Sequence, residues 1–146
     1  MKRFSLENEM RGPDAIIIAI GTNDASYLKS KDGNYVSSHD FEANLEKIIE
    51  KGKKYTDEII FIGLTKANEA MVAPTPWVPD FHYRNADMKI YDNKIKEVCK
   101  KNNLKFIEMM NLLKDEDLED GLHPNSAGHE KMFLRIKNFL EENTII

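Results

Sequence analysis

Asp120 stands three residues before His123, in the stretch Asp120-Gly121-Leu122-His123-Pro124-Asn125-Ser126-Ala127-Gly128-His129. A carboxylate at that spacing reaches an imidazole. It takes the Nδ1–H, fixes the ring tautomer and leaves Nε2 free to accept a proton, so His123 is a candidate general base and Asp120 its orienting acid. Pro124 stiffens the turn just ahead of an amphipathic helical pattern. Asp115, Glu116, Asp117 and Glu119 surround Asp120 and read as solvated loop charge. His129 falls in the first helical turn and reads as a capping or surface residue. Far upstream, Gly21-Thr22-Asn23-Asp24 follows an apolar run. Asn23 carries a neutral amide that can donate N–H to a developing oxyanion without competing for its proton. An asparagine there equally suits a turn with unusual backbone angles. Gly21 lets the chain turn tightly, and Asp24 reads as a loop brace hydrogen-bonded to backbone.

These blocks need elements to hold them. Residues 1–11 have the character of a helix tail, broken by Gly12-Pro13. Residues 14–20 form a continuous β-branched run, the pattern of a strand buried on both faces of a parallel sheet. Residues 25–36 are polar, with a turn at Asp32-Gly33-Asn34, and read as a loop. Ser37 and Asp40 have capping-box spacing before a helix carrying Phe41, Leu45, Ile48 and Ile49 on one face. A second strand spans 58–62 and a third 104–109, with a helix over 87–101 between them. The last helix, 126–142, turns Met132, Phe133, Ile136, Phe139 and Leu140 inward. Alternating strands and helices imply parallel pairing between helical layers. Both chemical blocks then follow strand C-termini, the edge where open α/β sheets hold ligands. Residues 64–84 make a long loop with Trp77, Phe81, His82 and Tyr83. It either borders a substrate pocket or folds its own aromatics beneath itself.

Composition narrows the classes. The 146 residues, 41% hydrophobic, make one domain with a real core, and the net charge is −4. Basic residues are dispersed without a stripe, which argues against nucleic acid. No apolar run is long enough to span a membrane, and no signal-peptide pattern follows Lys2 and Arg3, so a cytoplasmic location is expected. The single cysteine, Cys99, shares a helix face with Met88, Tyr91, Ile95 and Val98 and reads as core. No phosphate loop, Cys pair or HExxH motif points to a cofactor or structural metal, and none is expected.

Taken together, Gly21-Thr22-Asn23-Asp24 and Asp120-Gly121-Leu122-His123 resemble the third (G-x-N-D) and fifth (D-x-x-H) blocks of the SGNH, or GDSL-type, hydrolases. The likeness runs from residue 14 to the last helix. It implies a flavodoxin-like α/β/α sandwich with five parallel strands and hydrolysis of a small-molecule ester by a Ser-His-Asp mechanism. His123, Asp120 and Asn23 match the base, the orienting acid and the oxyanion donor. The family's nucleophilic G-D-S block and second-block glycine have no counterpart. Ser5 follows no strand or Gly-Asp pair, and Ser26, Ser30, Ser37 and Ser38 come after the asparagine block. The resemblance therefore implies the C-terminal part of such a hydrolase, lacking its first two strands, truncated at its front and inactive alone. It leaves strand 14–20 as a free sheet edge, open to self-association. Two further readings remain: a non-catalytic descendant that dimerises through this edge, and a flavodoxin-like module in which Asp24, Asp120 and His123 hold a divalent cation.

Overall fold

A computed structural model describes residues 2–146. Helix α1 (Lys2–Arg11) comes first and ends at Gly12, whose φ of +52° suits a residue without a side chain; its N–H closes on the Asn8 carbonyl at 3.0 Å. Phe4 anchors this helix edge-on against Tyr55, with ring centroids 6.4 Å apart. Strand β1 (Ile16–Ala19) follows. The stretch expected to be a plain loop contains β2 (Tyr27–Leu28), a 3-10 turn at Lys29–Lys31 and β3 (Gly33–Asn34). Helix α2 (Ser38–Gly52) starts where the capping residues place it, with Ser37 Oγ accepting the Asp40 N–H at 3.1 Å. Strand β4 (Ile59–Ile62) comes next. The long loop holds a short helix α3 (Glu69–Val72) and β5 (Phe81–His82). Then come α4 (Asn85–Lys101), β6 (Lys105–Ile107), a 3-10 turn at Asp115–Asp117 and α5 (Ser126–Glu142).

The main sheet has the order β1-β4-β6, all parallel, with Ile16 opposite Ile59 and Ile60 opposite Lys105. One face packs on α2 and α4: Ile16, Ile18, Ile59 and Phe61 meet Phe41, Leu45, Ile49, Tyr91, Ile95 and Val98. The other face packs on α5, where Ile60, Ile62, Ile107 and Met109 meet Ile136, Phe139 and Leu140. This is the three-layer α/β/α arrangement, and β4 at its centre is buried at all four positions. Cys99 is buried in the first cluster, and burial pushes its thiol up to about 12, so it is inert core. A second sheet, β3-β2-β5, is antiparallel and pairs Tyr27 with His82 and Leu28 with Phe81.

Two expectations need correction. Strand β1 is not buried on both faces: Ile16 and Ile18 are covered, but Ala19 is exposed and Ile17 is 44% exposed. Phe133 likewise faces outward at 61% exposure, although Met132 beside it is partly covered. Both have one cause. Helix α5 seats its apolar face over β4 and β6, and among the described residues no layer lies over β1 on that side. Among the described residues, β1 pairs only with β4, so its outer edge is free.

Candidate active site

The site begins where β1 ends. Gly21 has φ +116°, and a Cβ there would lie 3.0 Å from Phe41 Cζ and 3.3 Å from Leu64 Cδ2, so both conformation and space call for glycine. The chain then coils tightly: the Ala25 N–H reaches the Gly21 carbonyl at 2.9 Å, and the Ser26 N–H and Oγ–H both reach the Asn23 carbonyl, at 3.1 and 2.6 Å. This holds the Asn23 backbone with its side chain exposed. Asn23 Oδ1 accepts the Tyr83 hydroxyl at 2.9 Å. Among the described residues, Asn23 Nδ2 finds no acceptor and stays free to donate. The brace expected of Asp24 is made by its main chain, whose carbonyl accepts the Val36 N–H at 3.3 Å; its carboxylate finds no hydrogen-bond donor among the described residues.

The second block is a turn built around the Asp120 carboxylate. Its Oδ1 accepts the N–H groups of Leu122 at 2.9 Å and His123 at 2.8 Å, and its Oδ2 meets His123 Nδ1 at 2.7 Å. Burial pushes this carboxyl up, but the hydrogen bonds from His123 and Leu122 outweigh it and hold the pKa down at about 2. An ionised carboxylate only accepts, so in the neutral ring Nδ1 carries the proton and Nε2 holds the free lone pair. The turn is closed by the Glu119 N–H donating to the His123 carbonyl at 2.8 Å. Asn125 caps α5 by accepting the Gly128 N–H at 3.0 Å and ties back to the Glu116 carbonyl at 2.8 Å. His129 is exposed in the first turn of α5.

The long loop joins the two blocks. Asn68 N–H donates to the Gly121 carbonyl at 2.8 Å, and Gly121, at φ +86°, leaves room for Met71, whose Cβ would sit 2.7 Å from an added methyl. The Trp77 ring lies against the His123 ring, with centroids 6.4 Å apart. Tyr35, Trp77, Val78, Phe81 and Tyr83 line a cleft of about 310 Å³ together with Asn23. Both readings of this loop hold in part: its aromatics border the cleft, and Tyr83 is itself folded into the core. A neighbouring cleft of about 350 Å³ runs from Ala19 through Asp24, across Ile62–Thr65, to Met132.

Asn23 thus lines this aromatic cleft, and Trp77, which lines it too, lies against the His123 ring. Asp24, Asp120 and His123 do not form a metal site: among the described residues, no group of three His, Cys, Asp or Glu is placed to hold an ion. The hydroxyls of Ser26, Ser30 and Ser37 are committed to Asn23, Asp80 and Asp40, not to His123. Among the described residues, no helix is long and apolar enough to cross a membrane.

Three side chains escaped the reading of the sequence. Tyr83 appeared there only as one aromatic among several. Asp117, taken as solvated charge, is 2% exposed: it accepts the Lys114 N–H at 2.9 Å and pairs with Lys131 Nζ at 2.6 and 2.7 Å. The Lys131 hydrogen bond first, then the Lys114 amide, hold its pKa down. Asp92 is 4% exposed and accepts the Leu64 N–H at 2.7 Å where β4 ends; burial raises its pKa. It falls four residues after Met88 and three before Ile95 on a core-facing stripe, a visible signal of an acid with a structural partner.

A family model described as GDSL-like lipase/acylhydrolase matches residues 2–131. An acetylxylan esterase of Xylanibacter ruminicola is 29% identical over 134 residues, which is 82% of this chain but 27% of the esterase. The chain therefore spans about a quarter of that relative's length. The crystal structure of a lipase/acylhydrolase from Enterococcus faecalis superposes with a TM-score of 0.76 at 25% identity, covering 97% of this chain and 68% of that one. An acetylxylan esterase from Geobacillus stearothermophilus has the same fold, with a TM-score of 0.69 at 23% identity over 97% of this chain and 64% of that one. That enzyme's catalytic mutants replace a serine, an aspartate and a histidine, the last two three positions apart.

Proposed function

This chain belongs to the GDSL-like lipase/acylhydrolase family, and we propose that it carries the acid–base and oxyanion half of a Ser-His-Asp ester hydrolase. The observation that carries this reading is the 2.7 Å contact between Asp120 Oδ2 and His123 Nδ1, beside the cleft that Asn23 lines. The aspartate and histidine replaced in the Geobacillus esterase stand at the same spacing and support it.

The serine enters on a strand that pairs with the free edge of β1. Two features support this placement. Ile17, at 44% exposure, leaves about 1 kcal/mol of burial unrealised on the sheet face beside that edge, a face that the helix following such a strand would cover. The cleft from Ala19 to Met132 opens beside the strand end where a nucleophile-bearing turn would sit. His123 Nε2 takes the serine hydroxyl proton as Oγ attacks the ester carbonyl, and Asp120 stabilises the imidazolium. The tetrahedral oxyanion accepts from Asn23 Nδ2. The intermediate collapses, and the leaving alkoxide takes the proton from His123. Water then repeats the cycle on the acyl-serine, regenerating the hydroxyl and releasing the acid. The names of the two acetylxylan esterases make an acetylated sugar the first substrate to assay.

The reading is tested with p-nitrophenyl acetate and the 146-residue chain alone. No turnover dependent on His123 is expected, because the base has no hydroxyl to activate. Turnover that disappears in His123→Ala would overturn the placement of the serine and assign it to this chain.

A further inference from the structure

The oxyanion role of Asn23 needs more than an amide in the right place. The two ends of a carboxamide are similar in size and opposite in polarity. If Oδ1 turned toward the reacting carbonyl, it would repel the charge that Nδ2 is meant to hold. An exposed asparagine has nothing of its own to choose between the two orientations.

Tyr83 makes that choice. We propose that Tyr83 is the positioning residue of the oxyanion site: its hydroxyl donates to Asn23 Oδ1 and so commits Nδ2 to the substrate side. This deepens the ester-hydrolase reading and rests on it for its catalytic consequence, although the contact itself does not.

The fold delivers Tyr83 to this spot. Antiparallel pairing of β2 with β5 places Tyr27 opposite His82, so the next pair along brings Tyr83 across from Ser26, whose hydroxyl already holds the Asn23 carbonyl. The Tyr83 N–H is fixed on the Val72 carbonyl at 2.9 Å, and the residue is 5% exposed. With the backbone anchored and the ring buried, the hydroxyl stays 2.9 Å from Asn23 Oδ1. Among the described residues, that oxygen is the one acceptor the phenol finds, and a buried hydroxyl left without an acceptor loses its hydration with nothing in return. The phenol therefore spends its proton there. Burial also raises the Tyr83 pKa, so the hydroxyl remains a donor across the physiological range.

The bond has a second consequence. Tyr83 lies in the same loop as Trp77, which sits against His123, and as Asn68, which holds the Gly121 carbonyl. One loop thus touches the Asn23 side chain at one end and the Asp120–His123 turn at the other.

The test uses NMR on the 146-residue chain, so its outcome does not depend on esterase activity. In the wild type, the Asn23 side-chain amide should be as ordered as rigid backbone, with an order parameter of about 0.8. In Tyr83→Phe, which keeps the ring and deletes the donor, it should fall below about 0.6 while backbone shifts outside the loop stay in place. An Asn23 amide that is equally ordered in Tyr83→Phe, or already mobile in the wild type, overturns the proposal. Because Tyr83→Phe could compromise folding, a reciprocal variant supplies an independent reading. Asn23→Ala should speed Tyr83 hydroxyl exchange about 10-fold, read from the isotope shift on Cζ; an unchanged rate removes the bond. When a serine-bearing front segment makes the chain active, Tyr83→Phe should lower kcat about 10-fold with KM unchanged, a smaller loss than Asn23→Ala gives. A KM effect alone would make Tyr83 a substrate contact and refute the positioning role.

Discussion

Asp120→Asn should leave the turn's shape nearly intact while reversing the tautomer of His123. The asparagine Oδ1 can keep the bonds from the Leu122 and His123 amides, at 2.9 and 2.8 Å in the wild type. The other end of the side chain becomes an NH₂ group facing Nδ1, where an oxygen now lies at 2.7 Å. That group only donates, so Nδ1 must accept and the neutral ring must carry its proton on Nε2. The base is then blocked; the same substitution in a serine-protease triad costs about 10⁴ in kcat. The stability effect is smaller. An ordinary aspartate near 3.8 against about 2 here, at about 1.4 kcal/mol per pH unit, gives an upper bound of about 2–3 kcal/mol. The side chain is 37% exposed, so screening reduces this to about 1 kcal/mol. The sign follows from a depressed folded-state pKa. The contribution is complete above about pH 4 and is lost as the pH falls through 2. Urea unfolding should therefore separate wild type from Asp120→Asn by about 1 kcal/mol at pH 6, with the gap closing toward pH 2. Ring ¹⁵N shifts at a pH where His123 is neutral should show Nδ1–H in the wild type and Nε2–H in the variant. A wild-type ring protonated on Nε2, or a stability gap independent of pH, would refute the reasoning.

Gly128→Ala would place a Cβ 2.4 Å from the Asp117 carbonyl oxygen, a backbone atom that cannot step aside; a loss of about 2–3 kcal/mol in urea unfolding is expected, and a loss under 0.5 kcal/mol would contradict it. Lys131→Met strands the Asp117 carboxylate, 3% exposed in its side chain, beside a methyl group; its urea midpoint should fall with an unchanged slope. Cys99, buried with its thiol at about 12, should resist thiol reagents in the native state and react once the chain unfolds in denaturant. Native labelling at the unfolded rate would refute that burial.

The longer helices and the central strands were legible because each carries its own periodicity and punctuation. Ser37 announced α2, the amphipathic pattern after Pro124 announced α5, and the apolar runs announced β1 and β4. The Asp120–His123 pair was legible because both partners lie within one turn. Contacts made by long-range pairing were not. The two-residue strands β2, β3 and β5 have no periodicity to read, and their pairing alone brings Tyr83 to Asn23 across sixty positions. Asp117 looked like its acidic neighbours until the fold set Lys131 beside it. The apolar run at 14–20 implied two covered faces; its composition suits that burial, but one face has no layer over it among the described residues.

That uncovered face and free edge lead to the most direct test of the proposed hydrolase. A strand–Gly-Asp-Ser–helix–strand segment taken from a family member is joined ahead of residue 1, and the product is assayed on p-nitrophenyl acetate and an acetylated xylooligosaccharide, with its mass in solution read by light scattering. The expected product is a monomer that hydrolyses ester, loses turnover in His123→Ala, and loses roughly two to three decades of rate in Asn23→Ala. A folded chimera without ester hydrolysis, or one whose activity survives His123→Ala, would contradict it; a 146-residue chain already dimeric through β1 would assign that edge to a second copy instead.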